Sequence, residues 1–142
     1  MRRDEQVKTL KEELNAKYVL NQTSPTFIAD LDELIKLLNP TVLFEYCGGD
    51  LAGKILEKMP PSSLMYIVGN LTFTPLVLSS GDMIFQAKSA LSLYMPNWLK
   101  DQGAEAPKLL MRVSDDLRDG GKIFGTHTCK TMKLSQWREA LE

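Results

Sequence analysis

Residues 41–70 read TVLFEYCGGDLAGKILEKMPPSSLMYIVGN, and this stretch decides the fold class. Thr41 to Tyr46 is an apolar run of strand length, and Cys47-Gly48-Gly49 is a turn. Asp50 stands where it caps a helix whose inner side carries Leu51, Ile55, Leu56 and Met59. Pro60-Pro61 ends that helix, because proline has no amide hydrogen to donate and its ring collides with the preceding turn. Leu64 to Val68 is a second apolar run, continuous rather than alternating. That pattern fits a strand buried on both faces of a parallel sheet. Gly69-Asn70 breaks it. Strand, turn, helix and strand in this order make one βαβ unit.

The same alternation extends in both directions. Upstream, Asp4 to Leu14 reads as a helix with Val7, Leu10 and Leu14 on one face, Asp4 as its cap and Asn15 as the left-handed residue that ends it. Lys17 to Leu20 reads as a strand. Ser24-Pro25 starts a helix carrying Phe27, Ile28, Leu31, Leu34, Ile35 and Leu38, which Asn39-Pro40 stops. Downstream, a short helix spans Met83 to Ala87 and a strand spans Ser89 to Met95. Pro107 to Leu117 is a helix with Leu109, Leu110, Val113 and Leu117 facing inward, ended by Gly120-Gly121. Lys122 to Leu134 reads as extended, and Ser135 caps a last helix with Trp137 and Leu141. The methionines and aromatic residues fall at positions expected in the core. The fold expected is α/β, with a parallel sheet and crossover helices. Ligands bind such sheets at the carboxyl ends of the strands. The turns that matter are therefore Cys47-Gly48-Gly49, Gly69-Asn70-Leu71 and the end of Ser89 to Met95.

Composition narrows the classes. The chain has 142 residues, 44% hydrophobic and 25% charged, which suits one soluble globular domain. Seventeen basic against eighteen acidic side chains give a net charge of −1, so no excess of charge points to nucleic acid or an acidic membrane. Two cysteines, Cys47 and Cys129, make no disulfide framework and fit a reducing, intracellular location, cytosolic or mitochondrial. The uncharged run Met59 to Gly81 is broken by Pro60, Pro61, Gly69 and Pro75, a poor membrane span. The amino terminus carries no leader pattern.

The chemistry-bearing residues are few. The sequence holds no G-x-G-x-x-G and no phosphate loop ending in Gly-Lys-Ser or Gly-Lys-Thr. The glycines after the strands either let backbone approach a ligand or merely turn strand into helix. His127, the one histidine, and Cys129 form a His-x-Cys pair with no further ligand to complete a metal site, and a sheet-edge role suits His127 better. Cys47 stands at a helix start, where a thiol is activated, or is a small residue packed at a strand end. Arg2-Arg3 are either a phosphate grip or a solvated pair.

Five stretches carry a resemblance. They are Glu45-Tyr46-Cys47-Gly48-Gly49, Tyr66-Ile67-Val68-Gly69-Asn70, Gly81-Asp82-Met83-Ile84-Phe85, Leu93-Tyr94-Met95-Pro96-Asn97-Trp98-Leu99 and Leu134 to Glu142. In this order they resemble the zinc-independent medium-chain dehydrogenase/reductase superfamily. The nearest branch is the NADPH-dependent 2-enoyl thioester reductases, with quinone oxidoreductases next. The resemblance implies a partial Rossmann-type doubly wound parallel sheet lacking the first strand, the Gly-rich turn and the first helix. Residues 1–121 would form the incomplete NADPH-binding domain, and 122–142 would begin the return to a catalytic domain that is not in this sequence.

It also implies roles. Arg2 matches the basic residue that grips the 2′-phosphate of NADPH, with Arg3 a second candidate. Cys47 and Gly48 match the turn beside the cofactor ribose. Val68, Gly69, Asn70 and Leu71 match the turn at the nicotinamide half, and Leu93, Tyr94 and Met95 the strand end that holds the carboxamide. Glu45 stands where Asp or Asn is commoner, and Ser92 where a smaller residue is usual. The catalytic tyrosine belongs to the domain not in this sequence, so no catalytic residue is assigned. The expected function is that of part of a reductase acting on a conjugated double bond or a quinone, inactive alone and binding NADPH weakly or not at all. The partners expected are cofactor, a small-molecule substrate and a second copy, paired through the strand of Ser89 to Met95. The rival expectation is a non-catalytic subunit derived from such a reductase.

Overall fold

The computed structural model describes residues 1–125 and 130–141. They fall into two compact units, Met1–Tyr94 and Met95–Glu142. The first holds helices α1 (Asp4–Glu12), α2 (Phe27–Leu38), α3 (Asp50–Lys58) and α4 (Ser80–Phe85) and strands β1 (Val42–Glu45), β2 (Leu64–Ile67) and β3 (Ser89–Ser92). The strands form one parallel sheet in the order β1-β2-β3. This is the α/β architecture of a partial doubly wound sheet.

The register sorts the side chains. Leu43, Met65 and Ala90 align across the sheet, as do Glu45, Ile67 and Ser92. On this face Met65 is fully buried and meets Ala52, Leu56 and Met59 of the α3 segment. Ile35 of α2, Leu76, Leu78 and Met83 pack around that cluster. Burying one such side chain contributes about 1.5–3 kcal/mol, so the small cluster is what seats α3 on the sheet. On the other face Phe44 stacks on Tyr66 with ring centroids 5.6 Å apart, but Val42, Phe44 and Leu91 stay exposed.

Local chemistry explains the element ends. Asn15 and Asn39 take left-handed φ of 54° and 46° after α1 and α2, a conformation that Asn tolerates better than most residues. Ser79 Oγ accepts from Asp82 N at 3.3 Å and caps α4. Lys88, buried at the foot of β3, donates from Nζ to Glu57 O at 2.8 Å and lies 3.5 Å from Asp82 Oδ1. It thereby ties the end of α3 to α4.

Several expectations need correction. Lys17 to Leu20 is not a strand: its neighbour is Met1, whose amino group donates to Leu20 O at 2.8 Å while Gln22 N donates to Met1 O at 2.7 Å. That is a single parallel bridge between Met1 and Asn21, and a strand needs a longer ladder. Asp4 does not cap α1 but begins it, accepting instead from Asn21 Nδ2 at 2.7 Å. Likewise Asp50 is the first residue of α3, after Gly49. α2 starts two residues late, because Ser24 Oγ accepts from Thr26 N within a turn that holds Pro25 outside the helix. The aromatic and apolar residues assigned to the core are largely outside it: Phe44, Tyr46, Phe73, Phe85, Trp98 and Trp137 are exposed.

In the second unit, α5 (Met95–Asp101) leads to a 3-10 turn and then α6 (Ala106–Arg118). Met95 is thus helical rather than the end of a strand, as Pro96 in the first turn favours. On α6 Leu110 and Leu117 are exposed, while Leu109 and Val113 are half-buried. The described part of Lys122 to Leu134 holds no strand, and the expected last helix is two 3-10 turns, Leu134–Gln136 and Glu139–Leu141. The readings of His127 and Cys129 lie outside the described residues. No described helix is long and apolar enough to cross a membrane.

Candidate functional site

Two turns interlock at the carboxyl ends of β1 and β2. The first is built by Glu45, whose buried carboxylate accepts from Cys47 N at 2.6 Å and Gly48 N at 2.9 Å through Oε1. Its Oε2 is buried with no hydrogen-bond partner among the described residues. Two amides donating to one oxygen fix the chain as it leaves the strand. Gly48 and Gly49 both take φ of 82°, which L side chains rarely adopt.

The second turn runs from Val68 through Phe73. Val68 N donates to Glu45 O at 2.7 Å, Leu71 N to Tyr46 O at 3.1 Å and Thr72 N to Cys47 O at 2.9 Å. Thr72 Oγ1 adds a 2.7 Å bond to the same Cys47 carbonyl. A Cβ on Gly48 would sit 2.5 Å from Asn70 Oδ1 and 2.9 Å from Thr74 O. A Cβ on Gly69 would sit 2.9 Å from Tyr46 O. The glycines are required here by close contact between the turns, which the sequence left open as an alternative to ligand approach.

Against these turns lies a cleft of about 600 Å³. Its wall is the edge of β1 and the first turn of α3, from Leu43 to Ala52, closed by Arg2, Gln22, Thr72 and Thr74. The volume is in the range of small-molecule sites. Arg2 is exposed and makes no ion pair among the described residues; its backbone is held by Gln6 Oε1, which accepts from Arg2 N, and by Thr23 Oγ1, which donates to Arg2 O. Asp50, also on the wall, has its carboxyl held below the ordinary 3.8 by the hydrogen bond and charge of Lys54, 2.5 Å away.

The expected site residues therefore fall in distinct places. Arg2, Cys47 and Gly48 share the cleft. Val68, Gly69, Asn70 and Leu71 form the turn braced against it. Leu93 follows β3 and donates from N to Ile67 O at 2.9 Å, beside the end of β2, and Tyr94 is exposed. Arg3 lines other surface hollows, one with Met1 and Gln6. Met95 opens the second unit. Gln22, Thr72 and Thr74 were not singled out in the sequence; the hydroxyl pair around Phe73, just beyond a strand end, was the available signal.

No protein-family profile and no curated protein matches this sequence. Solved structures do. A protein from Mesorhizobium loti described as an NADPH:quinone reductase superposes with a TM-score of 0.79 at 29% identity, over 90% of this chain and 37% of its own. The fold is that of the medium-chain dehydrogenase/reductases. The enoyl reductase Etr1p, solved with NADP and crotonyl-CoA, shares this medium-chain fold with a TM-score of 0.72 at 23% identity, over 92% of this chain and 36% of its own. The mitochondrial 2-enoyl thioester reductase heterodimer of Candida tropicalis gives 0.74 at 21% identity, over 97% and 40%. The chain thus spans roughly two-fifths of the length of the medium-chain reductases it matches.

Proposed function

We propose that residues 1–142 are the nucleotide-side part of an NADPH-dependent reductase that reduces a conjugated double bond or a quinone. The observation that carries this reading is that Arg2 and the Cys47-Gly48 turn, 45 positions apart, line one cleft at the carboxyl end of a parallel sheet. Residues 1–121 are assigned to the nucleotide half and 122–142 to the segment returning to the catalytic domain. NADPH, when bound, supplies the hydride, and the protein supplies orientation and electrostatics. The planar Arg2 guanidinium can reach two oxygens of the doubly charged, tetrahedral 2′-phosphate by a two-toothed hydrogen bond and favours NADPH over NADH; Arg3 is the alternate grip. Cys47 and Gly48 face the ribose. The Val68–Leu71 turn and the backbone of Leu93 and Tyr94 flank the nicotinamide half. With no Gly-rich phosphate turn in its sequence and no catalytic residue assigned, the chain by itself binds NADPH weakly and does not turn over.

The test is NMR titration of nitrogen-15-labelled chain with NADPH and, separately, NADH. Shifts concentrated at Arg2, Cys47 and Gly48, larger for NADPH and not saturating at micromolar concentration, are expected. Equal responses to both cofactors, or shifts elsewhere, would falsify the assignment. Turnover of crotonyl-CoA by the chain alone would overturn the claim of inactivity. A second reading, a non-catalytic subunit of a reductase-derived assembly, is favoured by the exposed apolar sheet face of Val42, Phe44 and Leu91.

A further inference from the structure

The two ends of the cleft differ in charge. Among the described residues that line it, Arg2 is the only cation. The other end, where β1 turns into α3, has the backbone of an anion site. Successive amides in a turn with left-handed glycines form a concavity that attracts anions, and so does the first turn of a helix. Gly48 and Gly49 supply that turn at φ of 82°, and α3 follows at Asp50. The chain fills both positions with its own carboxylates. Glu45 Oε1 takes the amides of Cys47 and Gly48 at 2.6 and 2.9 Å, and its Oε2 is buried with no partner among the described residues. Asp50 stands on the cleft wall at the helix start, whereas Lys54, which pairs with it at 2.5 Å, does not line the cleft. The ion pair therefore turns its negative end to the cleft. Lys54 above all, and after it the amides of Asp50 and Leu51, hold the Asp50 carboxyl below its ordinary value, so it stays charged at neutral pH.

We propose that Asp50, together with Glu45, is a specificity-determining residue that bars phosphate from the α3 side of the cleft and confines the anionic part of a ligand to Arg2. The inference rests on the reductase reading above and adds a rule for which nucleotides the cleft accepts. The ligand is anionic where it meets Arg2 and uncharged, with hydroxyl groups, where it meets the start of α3. A sugar hydroxyl can donate to a carboxylate, whereas a doubly ionised phosphate offers it no proton and repels it. NADPH then lies with its 2′-phosphate at Arg2 and its pyrophosphate away from the start of α3. Lys54 sets the height of the barrier, because its ammonium offsets part of the Asp50 charge.

The probes are inorganic phosphate and, separately, NADPH, each titrated against the nitrogen-15-labelled full chain. Phosphate should shift the Arg2 amide of the wild-type chain and leave Gly49 to Ala52 unmoved. In Asp50→Asn it should shift Gly49 to Ala52 as well. NADPH should bind about threefold tighter to Asp50→Asn and about threefold weaker to Lys54→Met, the scale of one exposed charge at a helix start, and both changes should fade as salt rises. A merely structural ion pair would move the two variants in the same direction, because each breaks the same bond. Glu33→Gln removes a carboxylate that lines a different hollow, and it should leave NADPH affinity unchanged. Phosphate shifts at Gly49 to Ala52 in the wild-type chain, or no response of Asp50→Asn to either probe beyond that of the wild type, overturns the proposal. So do changes of the same sign in Asp50→Asn and Lys54→Met, or a Glu33→Gln effect as large as that of Asp50→Asn. If phosphate leaves Arg2 untouched while Asp50→Asn still opens the α3 side, the barrier stands and the reductase reading falls.

Discussion

Replacing Lys88 with methionine removes a charge from a buried polar junction of the first unit. The Lys88 side chain is 0% exposed and that of Asp82 15%. Without the ammonium, the Glu57 carbonyl loses a charged donor, worth about 1.5–3 kcal/mol. The Asp82 carboxylate keeps its bond from Gln86 Nε2. Breaking a buried pair from one side is destabilising by about 3–5 kcal/mol. Asp82 is not fully buried, so the low end applies, and methionine refills most of the space left by the lysine stem. About 3 kcal/mol is expected. The assay is urea unfolding followed at two wavelengths, because all four tyrosines lie in Met1–Tyr94 and both tryptophans in Met95–Glu142. The tyrosine transition should move and the tryptophan transition should not. Adding Asp82→Asn to Lys88→Met should recover about 1 kcal/mol or more through the shared pair. A tyrosine shift under about 1 kcal/mol, or strict additivity in the double mutant, would refute the claim that this pair joins α3 to α4.

Three further outcomes are expected. Gly48→Ala places a Cβ at φ 82° against Asn70 Oδ1 and Thr74 O, so it should destabilise the unit by more than about 1 kcal/mol in the same unfolding assay, with Asn70→Ala giving only partial rescue. Ser79→Ala removes the cap of α4 and should lower stability by about 1 kcal/mol; no loss would mean that the 3.3 Å bond to Asp82 N contributes nothing. Carbon-13 titration should find the Asp50 carboxyl below 3.8 and return it to the ordinary range in Lys54→Met. Because the folded value is depressed, the ion pair's contribution is present above the ordinary carboxylate range and fades as pH falls through the lowered value. On the Lys54 side the value is raised, so the contribution is lost only as pH climbs past the ordinary 10.5.

The βαβ stretch from Thr41 to Asn70 was legible because its signals are local: an apolar run, Gly-Gly, a helical stripe, Pro-Pro and a second run. The helix ends at Asn15, Asn39 and Gly120 were legible for the same reason, since one residue type at one position suffices for a left-handed turn. Lys17 to Leu20 has strand composition but finds only Met1 beside it, and pairing is a property of neighbours that composition does not reveal. Aromatic residues such as Phe44, Phe73 and Trp137 usually belong to a core; their exposure here depends on which surfaces exist to cover them. Within the candidate site, the turns could be placed after their strands from sequence, but the meeting of Arg2 with Cys47 depends on the fold. Thr72 and Thr74 carry little sequence signal, because hydroxyls that brace a turn look like any loop residues.

Gly53 shows what the chain just beyond the second turn, at Val77, demands of the helix beside it. It lies in the middle of α3, where alanine would ordinarily strengthen a helix by about 1 kcal/mol. Here a Cβ would run into the Val77 carbonyl oxygen, so helix propensity has been given up to let two backbones touch. The usual rule for raising thermal tolerance by exchanging helical glycine for alanine has the opposite sign at this position. Any programme to stabilise the chain should begin at the solvent side of α1 or α6 and leave α3 untouched.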